Sequence, residues 1–312
     1  MTSFAFVFPG QGSQAVGMLD AWGDHPAIAA TLAEASAALG EDIAALIKNG
    51  PKEQLDLTTN TQPVMLTAGI ACYRAWMAET GLMPAAVAGH SLGEYTALVA
   101  SGALSLADAL PLVRLRAQAM QEAVPVGVGA MAAILGLDAS AVQAGCAEAA
   151  AACGEAVEAA NFNDPKQTVI SGTKAGVDKA CEVLKAKGAK RALPLAVSAP
   201  FHSSLMKPAA ERLKLRLAEV AVITPWLPVV NNIDVAAVSE PDAIRDALYR
   251  QAFGPVRWVE VVQALRARSL THIIECGPGK VLAGMVKRID AEALSGAIFD
   301  PASLAEVKEM LA

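Results

Sequence analysis

Residues 85–100 read AAVAGHSLGEYTALVA, and this stretch decides the fold. Four small apolar residues, Ala85–Ala88, make a short buried strand. The strand runs into Gly89-His90-Ser91-Leu92-Gly93, and residues 92–100 then carry a helical apolar pattern. A G-x-S-x-G between a strand and a helix predicts a sharp turn that exposes the serine hydroxyl. The N–H of Leu92 and the helix N-terminus then face any oxyanion developing beside it. Glycines at both flanks give the turn room. The same pentapeptide also suits a serine that only caps a helix in a tight βα loop.

Outward from this turn, Phe4–Phe8 is a second apolar run, stopped by Pro9-Gly10, and reads as a buried strand entering a glycine-rich turn. Residues 26–48 and 62–79 show helical periodicity, the latter opening at Thr61-Gln62-Pro63 with proline in its first turn. Residues 105–123 predict another helix, with Ser105 placed to cap it and Asp108 three positions on. At Pro125-Val126-Gly127-Val128-Gly129 the texture changes. The order becomes strand (130–136), helix (138–152), strand (156–162), strand (167–171), helix (174–187), strand (190–195), a ferredoxin-like βαββαβ unit. After Pro200, helices near 205–220, 240–251 and 257–268 lead to a last strand, Thr271–Glu275. Gly277-Pro278-Gly279 then turns the chain into a helix at 280–288. The expected architecture is an α/β body (residues 1–127 and 198–312) interrupted by a compact insert (128–197).

The 312 residues are 54% hydrophobic and 18% charged, enough for one large domain carrying a smaller one and incompatible with global disorder. A net charge of −6 and a pI near 5.3 argue against a nucleic-acid partner, which needs a basic face. No apolar run approaches the roughly 20 residues of a membrane span. The start, MTSFAFVFPGQG, lacks the features of a secretory signal. A cytoplasmic protein with no membrane association is expected. Cys72, Cys146, Cys153, Cys181 and Cys276 fall at no CxxC spacing, so no metal site is expected.

A serine nucleophile needs a base. His90 points elsewhere on such a turn, His25 precedes a proline at a surface helix start, and His272 lies inside a strand. That leaves His202, in Ala199-Pro200-Phe201-His202-Ser203, at the junction where the insert returns to the body. Its other reading is an ordinary hydrogen-bonded loop histidine. A hydrolase triad would want an acid between serine and histidine in the chain. Asp164 and Asp178 satisfy the order but lie in the insert, so a backbone carbonyl is the alternative orienting group.

Gly10-Gln11-Gly12-Ser13-Gln14-Ala15 matches a dinucleotide fingerprint, and so does Gly127-Val128-Gly129-Ala130-Met131-Ala132. Neither leads to a strand ending in an acidic residue about 20 positions later. A glycine turn with exposed N–H groups serves equally as half of an oxyanion hole. Arg114 and Arg116 cannot share a helix face, so one points inward and needs an anion, either a substrate carboxylate or an internal salt bridge. Lys185, Lys187, Lys190 and Arg191 crowd one region of the insert, either as a solvated face or as a seat for an acidic protein.

With these residues in view, the chain resembles the malonyl-CoA:acyl carrier protein transacylases, the acyltransferases of type II fatty acid synthesis, over nearly its whole length. The resemblance rests on Phe8-Pro9-Gly10-Gln11-Gly12-Ser13-Gln14, Thr61-Gln62-Pro63, Gly89-His90-Ser91-Leu92-Gly93-Glu94-Tyr95, Arg114-Leu115-Arg116, Asn161-Phe162-Asn163, Ala199-Pro200-Phe201-His202-Ser203 and Gly277-Pro278-Gly279-Lys280. It implies an α/β-hydrolase-like body with a short parallel sheet and a ferredoxin-like insert. It also implies two-step transfer, in which Ser91, activated by His202, takes the malonyl group and passes it to the phosphopantetheine thiol of holo acyl carrier protein. By the same resemblance the N–H groups of Gln11 and Leu92 form the oxyanion hole, and Arg116 binds the malonyl carboxylate. Gln62, Asn161 and Asn163 line the substrate site, and the backbone carbonyl of Gln251 holds His202. Phe201 crowds a 2-methyl group and so favours malonyl over methylmalonyl, and Lys190 and Arg191 lie where the carrier docks. No cofactor of the chain's own is implied, since the phosphopantetheine belongs to the partner, and a monomer is expected. Two alternatives stay open: the same chemistry serving a polyketide or malonate-decarboxylase carrier, and a serine hydrolase.

Overall fold

The computed structural model describes residues 3–312. Phe4–Phe8 forms β1, every residue of it buried. Phe4, Phe6 and Phe8 pack on one side against Tyr73 and Trp76. Ala5 and Val7 pack on the other side with Trp258 and Val261. A strand covered on both faces reads as a continuous apolar run rather than an alternating one, which is why this segment was legible. The remaining strands are β2 (Ala86–Gly89), β3 (Gly129–Leu135), β4 (Val157–Asp164), β5 (Gln167–Thr173), β6 (Arg191–Pro194), β7 (Val229–Val230), β8 (His272–Cys276) and β9 (Leu294–Ile298). They form a five-stranded sheet ordered β7-β2-β1-β8-β9, all parallel, and a four-stranded antiparallel sheet ordered β4-β5-β3-β6.

Several elements differ from the sequence reading. The apolar stretch 26–48 is two helices, Pro26–Leu39 and Ile43–Asn49. Gly40 turns left-handed between them (φ 65°), and Asp42 caps the second by accepting from the Ala45 N–H. Pro63 is not in a first turn, because the helix runs from Thr58 to Thr80 with the proline inside it. The hydroxyl of Thr61 donates to the Leu55 carbonyl at 2.7 Å beside that interruption. Thr271–Glu275 is not the last strand: β8 is shifted by one residue, and β9 and a helix at Pro301–Leu311 follow. β7 has only two residues, too short for any periodicity to register.

The small sheet is tied to the large one through the chain after helix Pro241–Phe253. The Phe162 N–H donates to the Val256 carbonyl (2.9 Å), and the Val256 N–H donates to the Ala160 carbonyl (2.8 Å). Arg288, on helix Val281–Ile289, adds an ion pair with Asp164 at 2.7 Å.

Glycine is required where β1 and β2 end. A Cβ on Gly93 would sit 2.0 Å from the Phe8 carbonyl oxygen, and one on Gly89 would sit 1.9 Å from the Gly93 carbonyl carbon. Both obstacles are backbone, so nothing can swing aside. Gly93→Ala is therefore expected to cost about 3 kcal/mol or more of stability, read as a drop in the urea midpoint. A midpoint within error of the parent chain would contradict this close packing.

Candidate active site

Strand order reverses about β1, and in open parallel sheets ligands sit at the carboxyl ends of the strands flanking such a reversal. Here β1 ends at Pro9-Gly10-Gln11, and β2 ends at His90-Ser91-Leu92. The Phe8 carbonyl accepts from the His90 N–H at 3.0 Å, locking the two loops together. Ser91 takes φ 52°, the left-handed region that non-glycine residues seldom occupy. This strained corner lifts its side chain toward a cleft of about 640 Å³ between the two sheets.

In the cleft, Ser91 Oγ lies 2.7 Å from His202 Nε2, joining residues 111 positions apart. His202 also has positive φ, 58°. Its Nδ1 lies 3.0 Å from the Gln251 carbonyl oxygen and 3.1 Å from that of Gly254. Two carbonyls can only accept, so Nδ1 carries the proton and Nε2 is left as an acceptor for the serine hydroxyl. Among the described residues no acid takes part in holding this histidine. His90 is turned away from the serine, its Nε2 lying 2.8 Å from Asn163 Oδ1.

Burial pushes the His202 pKa down to about 3, helped by the neighbouring Arg116 charge and by His90. An ordinary histidine titrates near 6.5. A base works unprotonated, so a lowered pKa extends its active form to lower pH. The acid limb of Ser91 acylation is therefore expected well below the ordinary histidine value of about 6.5 when rates are followed by rapid quench. A limb at about 6.5 or above would contradict this assignment of the base.

The two arginines separate as helix geometry requires. Arg114 faces outward and pairs with Glu41 through both terminal nitrogens, at 2.8 and 2.7 Å. Arg116 is buried, 2% exposed. It donates to Gln62 Oε1 (2.8 Å), Gln251 Oε1 (3.2 Å) and Ser91 Oγ (3.2 Å). Among the described residues it makes no ion pair, and its Nε has no acceptor. A buried guanidinium with only neutral acceptors is poised for an anion beside the serine.

Gln11 and Leu92 both line the cleft, and among the described residues neither backbone N–H donates in the loop and turn bonding. Gly10 lets the first loop approach, since a Cβ there would sit 2.6 Å from the His90 carbonyl oxygen. Phe201 and Asn161 line the cleft. Lys190 and Arg191 do not: both are exposed at the start of β6, an edge of the small sheet. Among the described residues no group of three His, Cys, Asp or Glu could hold a metal.

Three residues of the site were missed in the sequence. Asn232 follows β7, accepts from the Ser91 N–H (2.8 Å) and donates to the Gly89 carbonyl (2.7 Å). Gly254 supplies the second carbonyl to His202. Glu94 is 2% exposed on a helix whose neighbours are apolar. A lone carboxylate three residues after the serine on such a helix was the available signal.

The acyl transferase domain family matches residues 5–297. The malonyl CoA-acyl carrier protein transacylase of Escherichia coli K12 is 52% identical over 311 residues, covering 99% of this chain and all of that protein. The solved acyl-carrier-protein S-malonyltransferase of Burkholderia pseudomallei 1710b superposes with a TM-score of 0.97 at 66% identity, covering 99% of this chain and all of that one. A malonyl-transacylase solved in complex with its type II PKS acyl-carrier protein superposes at 0.96 with 47% identity, over 99% of this chain and all of that one. This chain belongs to the acyl transferase family, among its malonyl-CoA–acyl carrier protein transacylases.

Proposed function

We infer that the chain transfers the malonyl group from malonyl-CoA to the phosphopantetheine thiol of an acyl carrier protein, in fatty acid biosynthesis. The observation that carries this reading is Arg116, a buried cation 3.2 Å from the serine hydroxyl and without an ion-pair partner among the described residues. In the first step His202 Nε2 takes the Ser91 proton, and Oγ adds to the thioester carbonyl. The Gln11 and Leu92 N–H groups receive the oxyanion, an arrangement whose single donors contribute about 10²–10³ in rate in serine enzymes. Collapse breaks the C–S bond, and His202 returns the proton to the departing CoA thiolate. The second step reverses the roles: the carrier thiol gives its proton to His202, attacks the malonyl-serine ester, and leaves Ser91 protonated again. Arg116 holds the malonyl carboxylate through both steps.

Further assignments support the same picture. Gln62 holds Arg116, the Gln251 carbonyl orients His202, and Asn161 and Asn163 shape the acyl end of the cleft. Phe201 leaves little room for a 2-methyl group, a discrimination of about 1–3 kcal/mol. The carrier docks near Lys190 and Arg191. We read the body, 1–127 and 198–312, as α/β-hydrolase-like and the insert, 128–197, as ferredoxin-like. The βαββαβ order in one antiparallel sheet supports the latter. We further assign a cytoplasmic monomer without a cofactor of its own. No helix among the described residues is long and apolar enough to cross a membrane.

The test is intact-protein mass spectrometry after brief exposure to malonyl-CoA. One malonyl group, stable in buffer and discharged by holo carrier protein, is expected. Rapid loss to water would make the chain a hydrolase instead. Because one structural relative is complexed with a type II PKS carrier, discharge rates with fatty acid and polyketide carriers would assign the partner.

A further inference from the structure

We propose that Glu94 is a positioning residue for the transfer reaction, one carboxylate oxygen holding the serine turn, the base and the acyl-anion arginine in register. Oε2 of Glu94 accepts from the Asn232 backbone N–H (2.8 Å) and from Gln251 Nε2 (3.0 Å). Each of these residues reaches the reacting groups by a different route. The Asn232 side chain fixes both the Ser91 N–H and the Gly89 carbonyl. The Gln251 side chain donates to the Ser91 carbonyl (3.0 Å) and accepts from Arg116, while its backbone carbonyl holds His202.

The amide of Gln251 thus lies between a carboxylate and a guanidinium. Its oxygen must face Arg116 and its nitrogen must face Glu94, so the two groups fix its orientation. The Glu94 backbone N–H donates to the Ser91 carbonyl at the start of the helix (3.1 Å), but its carboxylate bonds Asn232 and Gln251, not the Ser91 hydroxyl or His202. Its effect is carried by bonds between residues 138 and 157 positions away, which no local pattern in the helix requires. Burial raises the Glu94 pKa to about 7. A protonated carboxyl keeps a carbonyl oxygen able to accept both bonds, so the register survives its titration.

The role rests on the transfer reading above and separates oxygen position from charge. Glu94→Gln keeps an acceptor oxygen at the same reach and loses the charge. Glu94→Asp keeps the charge and withdraws the oxygen by one methylene. Steady-state transfer from malonyl-CoA to holo carrier should show Glu94→Gln within about threefold of the parent kcat. Glu94→Asp should fall at least about thirtyfold, with KM for malonyl-CoA changed less than about threefold in both. Thermal midpoints of both variants report folding separately. Equal rates in the two variants, or the aspartate variant being faster, would overturn the proposal, as would a loss confined to KM. Failure of the parent chain itself to form malonyl-serine would overturn the transfer reading and this proposal with it.

Discussion

Replacing Ser91 by alanine should abolish the malonyl adduct and lower transfer by on the order of 10⁶-fold, the scale seen when the nucleophile of a serine–histidine pair is removed. The fold should survive. Alanine meets the same left-handed φ of 52° that serine already tolerates, and the loops around it are held by backbone groups. The side-chain bonds to His202 and Arg116 disappear, but both partners keep others: His202 its two carbonyls, Arg116 its two glutamines. Intact-mass measurement after malonyl-CoA exposure checks the result directly. An adduct persisting on the alanine variant would mean that another side chain carries the acyl group.

Arg116→Ala should change which acyl group the enzyme prefers. Hydrogen bonds to a charged partner contribute about 1.5–3 kcal/mol each, so losing a carboxylate clamp corresponds to roughly 10²-fold or more in kcat/KM for malonyl-CoA. Acetyl-CoA offers no carboxylate and should lose far less, under about tenfold, so the malonyl-to-acetyl ratio collapses. Some general loss is expected, because Gln62 Oε1 and Gln251 Oε1 both lose the arginine as donor. Arg116→Lys keeps the charge without the planar fork and should fall between the two. An unchanged ratio in competition assays with both thioesters would remove Arg116 from substrate selection.

Local chemistry explains what the sequence disclosed. Phe4–Phe8 and residues 85–100 were readable because buried parallel strands are continuously apolar and because glycine is compulsory at Gly89 and Gly93. The two-arginine spacing showed that one must point inward, the family resemblance named Arg116, and in the structure Arg116 is the buried one. The order of elements in the insert was also legible, since each of its strands and helices is long enough to express its period. β7 escaped because two residues have no period, and β9 because Leu294-Ser295-Gly296-Ala297-Ile298 looks like loop. Asn232, Gly254 and Glu94 escaped for a different reason. Their roles exist only through partners more than a hundred positions distant in the case of Asn232 and Glu94, and about fifty in the case of Gly254.

The bond from Gln251 to the Ser91 carbonyl spans 160 residues, and β1 at the amino end pairs with β8 near the carboxyl end. On a ribosome adding about 5–20 residues each second, the serine turn emerges many seconds before the segment that orients its histidine. A nascent chain ending before Gln251 lacks both carbonyls that orient the His202 ring toward the serine.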